Sequence, residues 1–187
     1  KLRYKHMVQR ITKILYPDDS SYEGKELRLV QEYFFVSAGI QSIVRHYKRS
    51  GADLNDFHEK IVIHINDTHP ALAIPELMRI LMDEEGMTWE KAWYITRRTV
   101  AYTNHTIMAE ALEKWPSHFL EKAVPQLLPI IYELNSRIVR KYDDKSVAII
   151  DDEKRVHMAH MDIHYGYSGN GVAYLHTEHL KNPELNN

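Results

Sequence analysis

Cysteine is absent from the chain, so it can form neither disulfides nor thiolate metal sites, which agrees with a reducing compartment. The cytoplasm is therefore the expected location. Apolar runs are short: none approaches the roughly 20 residues that span a bilayer, and no apolar segment of signal-peptide length follows the charged start, Lys1–His6. An excess of charge is also lacking, since 24 basic and 26 acidic residues leave a formal net charge of -2. There is no electrostatic case for nucleic acid or a membrane surface as a partner.

The chain does contain enough apolar material for a core. Of its 187 residues, 44% are hydrophobic, and the length is that of about one domain. It begins without methionine and ends in Asn-Pro-Glu-Leu-Asn-Asn over residues 182–187. We therefore expect residues 1–187 to form a single-domain fragment of something larger.

The chain is organised around one stretch in which an apolar run ends in polar residues and a helical pattern begins. Residues 60–65 are short and β-branched, which is typical of a strand buried on both faces. Asn66, Asp67 and Thr68 form the loop beyond its carboxyl end, where open α/β sheets usually bind ligands. His69 lies near the start of the next helix, which favours a polar or anionic ligand. Asp67 and Thr68 are equally good helix caps, so capping and ligand binding both stay open for them.

A second predicted strand ends in the same way. Residues 99–103 are followed by Asn104, His105 and Thr106. If the two strands are parallel neighbours, both polar ends lie along one edge of the sheet. Asp67 and His69 would then approach Asn104 and His105.

Elsewhere the pattern is mostly helical. Apolar residues at steps of three and four predict helices at 7–15, 26–48, 70–85, from 88, 125–142 and 172–181. Two further strands are predicted at 146–150 and 155–163. The expected fold class is α/β, a helix-rich, Rossmann-like partial parallel sheet flanked by helices. The glycine-rich turn at 166–171 could cradle a phosphate, although its spacing matches neither standard phosphate-binding motif.

Four separated blocks carry long, specific motifs. The longest is Ile-His-Ile-Asn-Asp-Thr-His-Pro-Ala-Leu-Ala-Ile-Pro-Glu-Leu over residues 63–77. Another is Tyr-Thr-Asn-His-Thr over 102–106, followed by Glu-Ala-Leu-Glu and Trp-Pro up to residue 116. The others lie within residues 15–34 and 158–173. All four resemble the α-glucan phosphorylases, the glycogen, starch and maltodextrin phosphorylase family, and along the chain they follow one another in the order found in that family. The main departure is Gly169, where the family usually has a bulkier apolar residue.

The resemblance implies a fold and an activity. It implies the middle and end of the amino-terminal domain of a two-domain, glycosyltransferase-type enzyme with Rossmann-like sheets. Enzymes of this family cleave terminal α-1,4-linked glucose from a glucan with inorganic phosphate and give glucose 1-phosphate with retained configuration. Their cofactor is pyridoxal phosphate, whose phosphate takes part in proton transfer. The parent enzyme is expected to be a homodimer.

The resemblance also implies residue roles, with His105 and Asp67 at the catalytic centre. The side chain of His105 would contact the glucose 6-hydroxyl, and its backbone carbonyl would lie near the anomeric carbon. A fixed partial negative charge there favours an oxocarbenium-like centre. Asp67 would flank the glucose pocket. The other implied pocket residues are the substrate-binding His69, Asn104, Asn66 and Thr106.

The cofactor lysine of the family and its phosphate-binding basic residues belong to a carboxyl-terminal domain, and nothing in this chain matches that domain. We therefore expect the chain alone to hold one wall of an active site and to be unable to catalyse. The surface that would meet the second domain would be exposed, so self-association is expected.

Two alternatives remain. One is a non-catalytic sugar-binding or scaffold module. The other is a metal site, formed either by His64, Asp67 and His69 or by a second histidine group. The members of that second group, His157, His160 and His164, share a face only if their segment is helical.

Overall fold

The computed structural model describes residues 2–106, 108 and 111–172. Helix α1, Leu2–Lys13, leads through a turn into the long helix α2, Tyr22–Arg49. Ser21 caps α2 by accepting a hydrogen bond from the backbone N–H of Gly24 at 3.0 Å. The predicted helices at the start of the chain are confirmed, and both begin earlier than predicted. Steps of three and four along α2 bury Leu29, Val36, Ile40, Val44 and Tyr47.

A small parallel sheet forms the centre. A 3-10 turn, Leu54–Asp56, and helix α3, Phe57–Lys60, precede strand β1, Ile63–Asn66. Strands β2, Val100–Asn104, and β5, Ser168–Gly171, complete the sheet in the order β1-β2-β5. Ile63 pairs with Val100 and Asn66 with Thr103 in parallel register. The first two predicted strands are therefore confirmed as parallel neighbours.

The connection from β1 to β2 is helical and packs against the rest of the core. Helix α4, Ala73–Arg79, continues as a π-helical segment, Ile80–Glu84, and helix α5, Trp89–Thr99, follows. The predicted helix at 70–85 is thus confirmed from residue 73. Gly86 takes a positive φ of 69° where this helix ends, a conformation that glycine adopts without steric cost. Helix α4 is almost entirely buried, in contact with α2 and α5.

The second half of the chain adds a short antiparallel strand pair and three helices. In order these elements are β3 (Lys114–Pro116), α6 (Ser117–Ala123), a 3-10 turn (Pro125–Leu127), α7 (Leu128–Lys141), a 3-10 turn (Lys145–Val147), β4 (Arg155–His157) and α8 (Met158–Tyr165). Trp115 of β3 pairs with Val156 of β4. The predicted helix at 125–142 is confirmed, with a 3-10 first turn.

Both strand predictions in this half are wrong in part. Residues 146–150 contain the end of a 3-10 turn and only one isolated bridge, between Ile150 and Val156. The strand predicted at 155–163 is limited to β4, because the chain turns into α8 at Met158. Six of the eight residues of α8 are buried, so its apolar pattern does not distinguish a helix from a strand.

The glycine-rich segment also differs from its prediction. It forms β5, with Gly169 opposite Tyr102 of β2. The predicted helix at 172–181 lies outside the described residues except for its first position. Among the residues that the structure describes, no helix is long and apolar enough to cross a membrane. The predicted class is confirmed: the chain is helix-rich, with a small parallel sheet flanked by helices.

Candidate functional site

The parallel pairing of β1 and β2 brings their polar ends together. The backbone N–H of Asp67 donates to the Thr103 carbonyl at 2.8 Å, which extends the ladder by one residue. Asp67 then takes a positive φ of 61° and turns the chain away from the sheet. Across the two strand ends, His105 Nε2 donates to Asn66 Oδ1 at 2.6 Å. The polar ends of the two strands therefore lie side by side, and the contact between them is made by Asn66 and His105, whereas the sequence predicted an approach of Asp67 and His69 to Asn104 and His105.

The Asp67 carboxylate is held from two directions. Thr106 Oγ1 donates to its two oxygens at 3.0 and 3.3 Å, and the backbone N–H of Thr68 donates to Oδ1 at 2.8 Å. The sequence left open whether Asp67 caps the next helix. Helix α4 begins at Ala73 with Leu72 in the cap position and no side-chain cap bond, so Asp67 does not cap that helix. Its carboxylate instead ties the end of β1 to the loop after β2.

Asn104 supports this loop from below. Its side chain is buried, and its Nδ2 donates to the Thr106 carbonyl at 2.9 Å while its Oδ1 accepts from the Thr106 backbone N–H at 3.0 Å. The Tyr102 hydroxyl donates to the same Oδ1 at 3.3 Å. Burial raises the pKa of Tyr102, so this hydroxyl keeps its proton. Asn104 therefore fixes the backbone that carries His105 and Thr106.

A cavity of about 650 Å³ opens beside these strand ends. Three of the six predicted site residues line it, namely Asp67, His69 and Thr106. Asn66, His105 and Asn104 do not line it, and the exposed His105 ring is turned towards Asn66 instead. The lining combines apolar and aromatic surface, such as Trp115 and Phe119, with charged side chains of both signs, namely Asp19, Lys25, Arg28, Glu113, Lys114 and Arg155.

Reasoning from the sequence assigned no role to several of these lining residues. Arg28 forms ion pairs with Asp19 at 2.8 Å and with Glu32 at 3.2 Å. Glu113 Oε1 accepts from the Trp115 indole N–H at 2.8 Å, and its Oε2 lies 3.5 Å from Thr68 Oγ1. The i,i+4 spacing of Arg28 and Glu32 was visible in the sequence. That spacing did not indicate that the face of α2 carrying Arg28 and Glu32 lies against the segment before β3.

A carboxyl group is buried beneath the site. Asp162 of α8 is fully buried, and neither of its oxygens has a hydrogen-bond partner among the residues that the structure describes. Burial raises its pKa well above the usual range, and the nearby carboxyls of Glu113 and Asp67 add to that effect. We therefore infer a neutral acid at this position.

Side chains from both groups considered as metal sites form hydrogen bonds within the fold. His64 Nε2 lies 2.5 Å from Thr103 Oγ1, a contact within the sheet. His160 Nδ1 donates to the Ala148 carbonyl at 2.7 Å, and His164 Nε2 donates to the Val147 carbonyl at 2.8 Å. Burial lowers the pKa of His160 to about 4, so its ring is neutral. Across the described part of the chain, no three His, Cys, Asp or Glu side chains are grouped so that they could hold a metal ion.

The proposed phosphate cradle is also absent from the described residues. Tyr167 N–H donates to the Val100 carbonyl at 2.8 Å, and Val172 N–H donates to the Asn104 carbonyl at 3.3 Å. Between them, β5 pairs with β2 from Ser168 to Gly171. The glycine-rich backbone is thus part of the sheet instead of a loop around an anion.

Comparison with known proteins agrees with the motifs. Residues 1–187 match the model of the carbohydrate phosphorylase family. The maltodextrin phosphorylase of Streptococcus pneumoniae is 54% identical over 179 residues, which cover 96% of this chain and 24% of that protein. The glycogen phosphorylase of Bacillus subtilis is 48% identical over 195 positions, covering 98% and 24%. The muscle form of human glycogen phosphorylase is 45% identical over 196 positions, covering 95% and 23%.

The chain spans about a quarter of the length of these relatives. The match nevertheless runs along nearly the whole of the present chain, and it includes both strand ends that build the site. The chain therefore belongs to the carbohydrate phosphorylase family.

Proposed function

We propose that this chain supplies one wall of the glucose-binding site of an α-1,4-glucan phosphorylase. The parent enzyme would use inorganic phosphate to release terminal glucose as glucose 1-phosphate with retained configuration. The observation that carries the proposal is the contact between the two strand ends, His105 to Asn66 at 2.6 Å. This contact fixes the residue to which the family resemblance assigns the central role.

Each site residue has a proposed task. The His105 ring, oriented by Asn66 through Nε2, accepts a hydrogen bond from a glucose hydroxyl at Nδ1, and the backbone carbonyl of His105 stabilises positive charge that develops at the anomeric carbon. Asp67 and His69 bind sugar hydroxyls at the edge of the cavity. Asn104 acts indirectly, since it holds the loop that carries His105.

The described residues that line the cavity do not fit pyridoxal phosphate, the cofactor that the family resemblance implies. A lysine that forms an imine with the cofactor needs a sheltered position, whereas the two lysines that line the cavity, Lys25 and Lys114, are exposed. We propose that the cofactor is bound by the part of the parent enzyme outside this chain. The chain alone is then inactive, and the cytoplasm and a homodimeric parent remain predictions.

The first test measures turnover and binding on the same preparation. Phosphate-dependent release of glucose 1-phosphate from maltodextrin, with pyridoxal phosphate added, should be undetectable for this chain. NMR titration with maltose should shift backbone resonances of Asp67 and the Asn104–Thr106 loop. Turnover would overturn the proposed inactivity. Shifts confined to other surfaces would overturn the proposed site.

A variant pair tests the role of His105. His105→Asn should weaken maltose binding about 2- to 13-fold, the range that corresponds to one hydrogen bond of roughly 0.5–1.5 kcal/mol. The matched control is His46→Asn, because His46 is exposed on α2 and belongs to neither of the two strand ends that build the site. Equal affinities for the two variants would contradict the assignment. Specific binding without turnover by the parent enzyme would favour the sugar-binding module.

A further inference from the structure

Two glutamates from distant parts of the chain meet behind the cavity wall. Glu32 lies on α2, and its side chain is only 12% exposed. Its carboxyl is within hydrogen-bonding reach of that of Glu113, which immediately precedes β3. Glu113 lines the cavity of about 650 Å³, whereas Glu32 lines a second and more apolar cavity of about 400 Å³. Arg28 and His69 line both, so the pair lies in a wall that the two cavities share.

Positive charge is scarce at this pair. Arg28 Nε donates to Glu32 Oε1 at 3.2 Å, but the same guanidinium also pairs with Asp19 at 2.8 Å. Asp162 of α8 adds a further carboxyl near Glu113. The remaining charged groups around the first cavity are Lys25, Asp67, His69, Lys114 and Arg155. Of these, Arg155 is bound to Asp151 at 2.8 Å.

Two carboxylates in contact cannot both ionise when one shared cation faces them in a partly buried site. Burial is the largest effect on Glu32 and raises its pKa, and the adjacent Glu113 raises it further while Arg28 opposes the rise. The balance raises the pKa of Glu32 to about 9. Glu32 is therefore the acid of the two that keeps its proton.

We propose that Glu32 carries a proton at neutral pH and donates its O–H to Glu113, and that this O–H···O bond positions Glu113 against Trp115 and Thr68 in the cavity wall. The Trp115 indole N–H donates to Glu113 Oε1 at 2.8 Å, so its environment reports where Glu113 lies. Thr68 in turn donates its backbone N–H to Asp67. The O–H···O bond between Glu32 and Glu113 thus links α2 to the predicted sugar site. This inference does not depend on the proposed activity.

The sign of the pH effect follows from the raised pKa. A carboxyl whose folded-state pKa exceeds its unfolded value contributes stability that is complete below the unfolded pKa, about 4.3 for glutamate. That contribution is lost as the pH rises through the folded-state value of about 9. Alkaline solution should therefore break the pair, release Glu113 and loosen the wall.

The direct test is an NMR titration of the glutamate side-chain carboxyl carbons between about pH 4 and pH 10. One glutamate carboxyl should titrate above neutral pH in the unaltered chain. Glu32→Gln should abolish that step, and Glu113→Gln should move its midpoint to lower pH without removing it, because Glu32 stays buried. The matched control is Glu26→Gln, which removes another α2 carboxylate, one that pairs with Lys122 at 2.6 Å, and it should leave the step intact. If all glutamates of the unaltered chain lose their protons below about pH 6, the proposal is overturned.

A second readout tests positioning and needs no variant to be interpretable. The indole N–H resonance of Trp115 should shift with the same midpoint as the carboxyl step. In Glu32→Gln the amide can still donate to Glu113, so the Trp115 resonance should stay near its neutral-pH position throughout. A Trp115 resonance that does not follow the carboxyl step in the unaltered chain would overturn the positioning role.

Discussion

Asp67 shows how one residue can combine an unusual backbone conformation with a polar task. Its φ of 61° lies in the left-handed region, which residues other than glycine, asparagine and aspartate rarely adopt. Aspartate tolerates it because its side chain can bond to the local backbone, as it does here with the Thr68 N–H at 2.8 Å. The conformation turns the chain at the end of β1 and points the carboxylate at Thr106.

Substitutions at Asp67 should separate these two properties. Asp67→Asn keeps tolerance of the left-handed backbone and should change the free energy of unfolding by no more than about 0.5 kcal/mol. Asp67→Ala should destabilise the fold by about 1–2 kcal/mol, because alanine has no side chain to support that conformation. Urea unfolding measures both. Asp152→Ala is the control, since Asp152 is 83% exposed. Equal stability of the alanine and asparagine variants would contradict the backbone explanation.

At the scale of elements, α2 and α4 are joined by a buried carboxylate. Glu76 of α4 is fully buried and accepts from Ser37 Oγ at 2.7 Å and from the Tyr33 hydroxyl at 3.1 Å, both on α2. Arg79 completes the set, with Nε at 2.8 Å and a second nitrogen at 2.9 Å. Because α4 follows directly from the loop that carries Asp67, this connection fixes the site relative to α2.

Removing the charge of Glu76 should therefore be costly. Glu76→Gln leaves Arg79 without its buried partner and should lower the free energy of unfolding by about 3 kcal/mol. The control uses the same arginine: Glu84 pairs with Arg79 at 2.7 Å but is 46% exposed. Glu84→Gln should cost less than about 0.5 kcal/mol. Similar losses for both variants in urea unfolding would show that burial of Glu76 is not the deciding factor.

At the scale of the molecule, several large apolar side chains are exposed. Phe34 and Phe35 on α2 are 43% and 51% exposed, and Leu15 and Tyr16, which line the second cavity together with Phe35, are 58% and 86% exposed. The chain covers about a quarter of its relatives, whose remaining length could cover such a surface. Exposed apolar surface of this kind favours association.

Self-association of the chain is accordingly predicted to depend on concentration. Sedimentation velocity should show the average mass increasing with protein concentration. The double substitution Phe34→Ser and Phe35→Ser should weaken this association more than Val139→Ser, a control residue on α7 that is 48% exposed. A chain that stays monomeric at every concentration would exclude the prediction.

Elements whose signals are local could be predicted from the amino-acid sequence. The apolar steps of three and four along α2 predicted that helix because a helix buries one face at that period. The short β-branched run before Asn66 and the short apolar run before Asn104 predicted β1 and β2, because runs of this length and composition are typical of buried strands. The polar residues that follow each run were enough to indicate Asp67 and His105 as site candidates.

Features that depend on neighbours distant in the sequence could not be predicted, because they follow from tertiary packing. Helix α8 was predicted as a strand because burial on nearly all sides removes the periodicity that separates the two. Strand β5 resembled a turn, since its glycines carry no side-chain signal and its pairing with β2 supplies the order. Glu32 and Glu113 are far apart in the chain, and only packing places their carboxyls together. Local pattern sets the conformation of a segment, whereas burial and pairing set which charges meet.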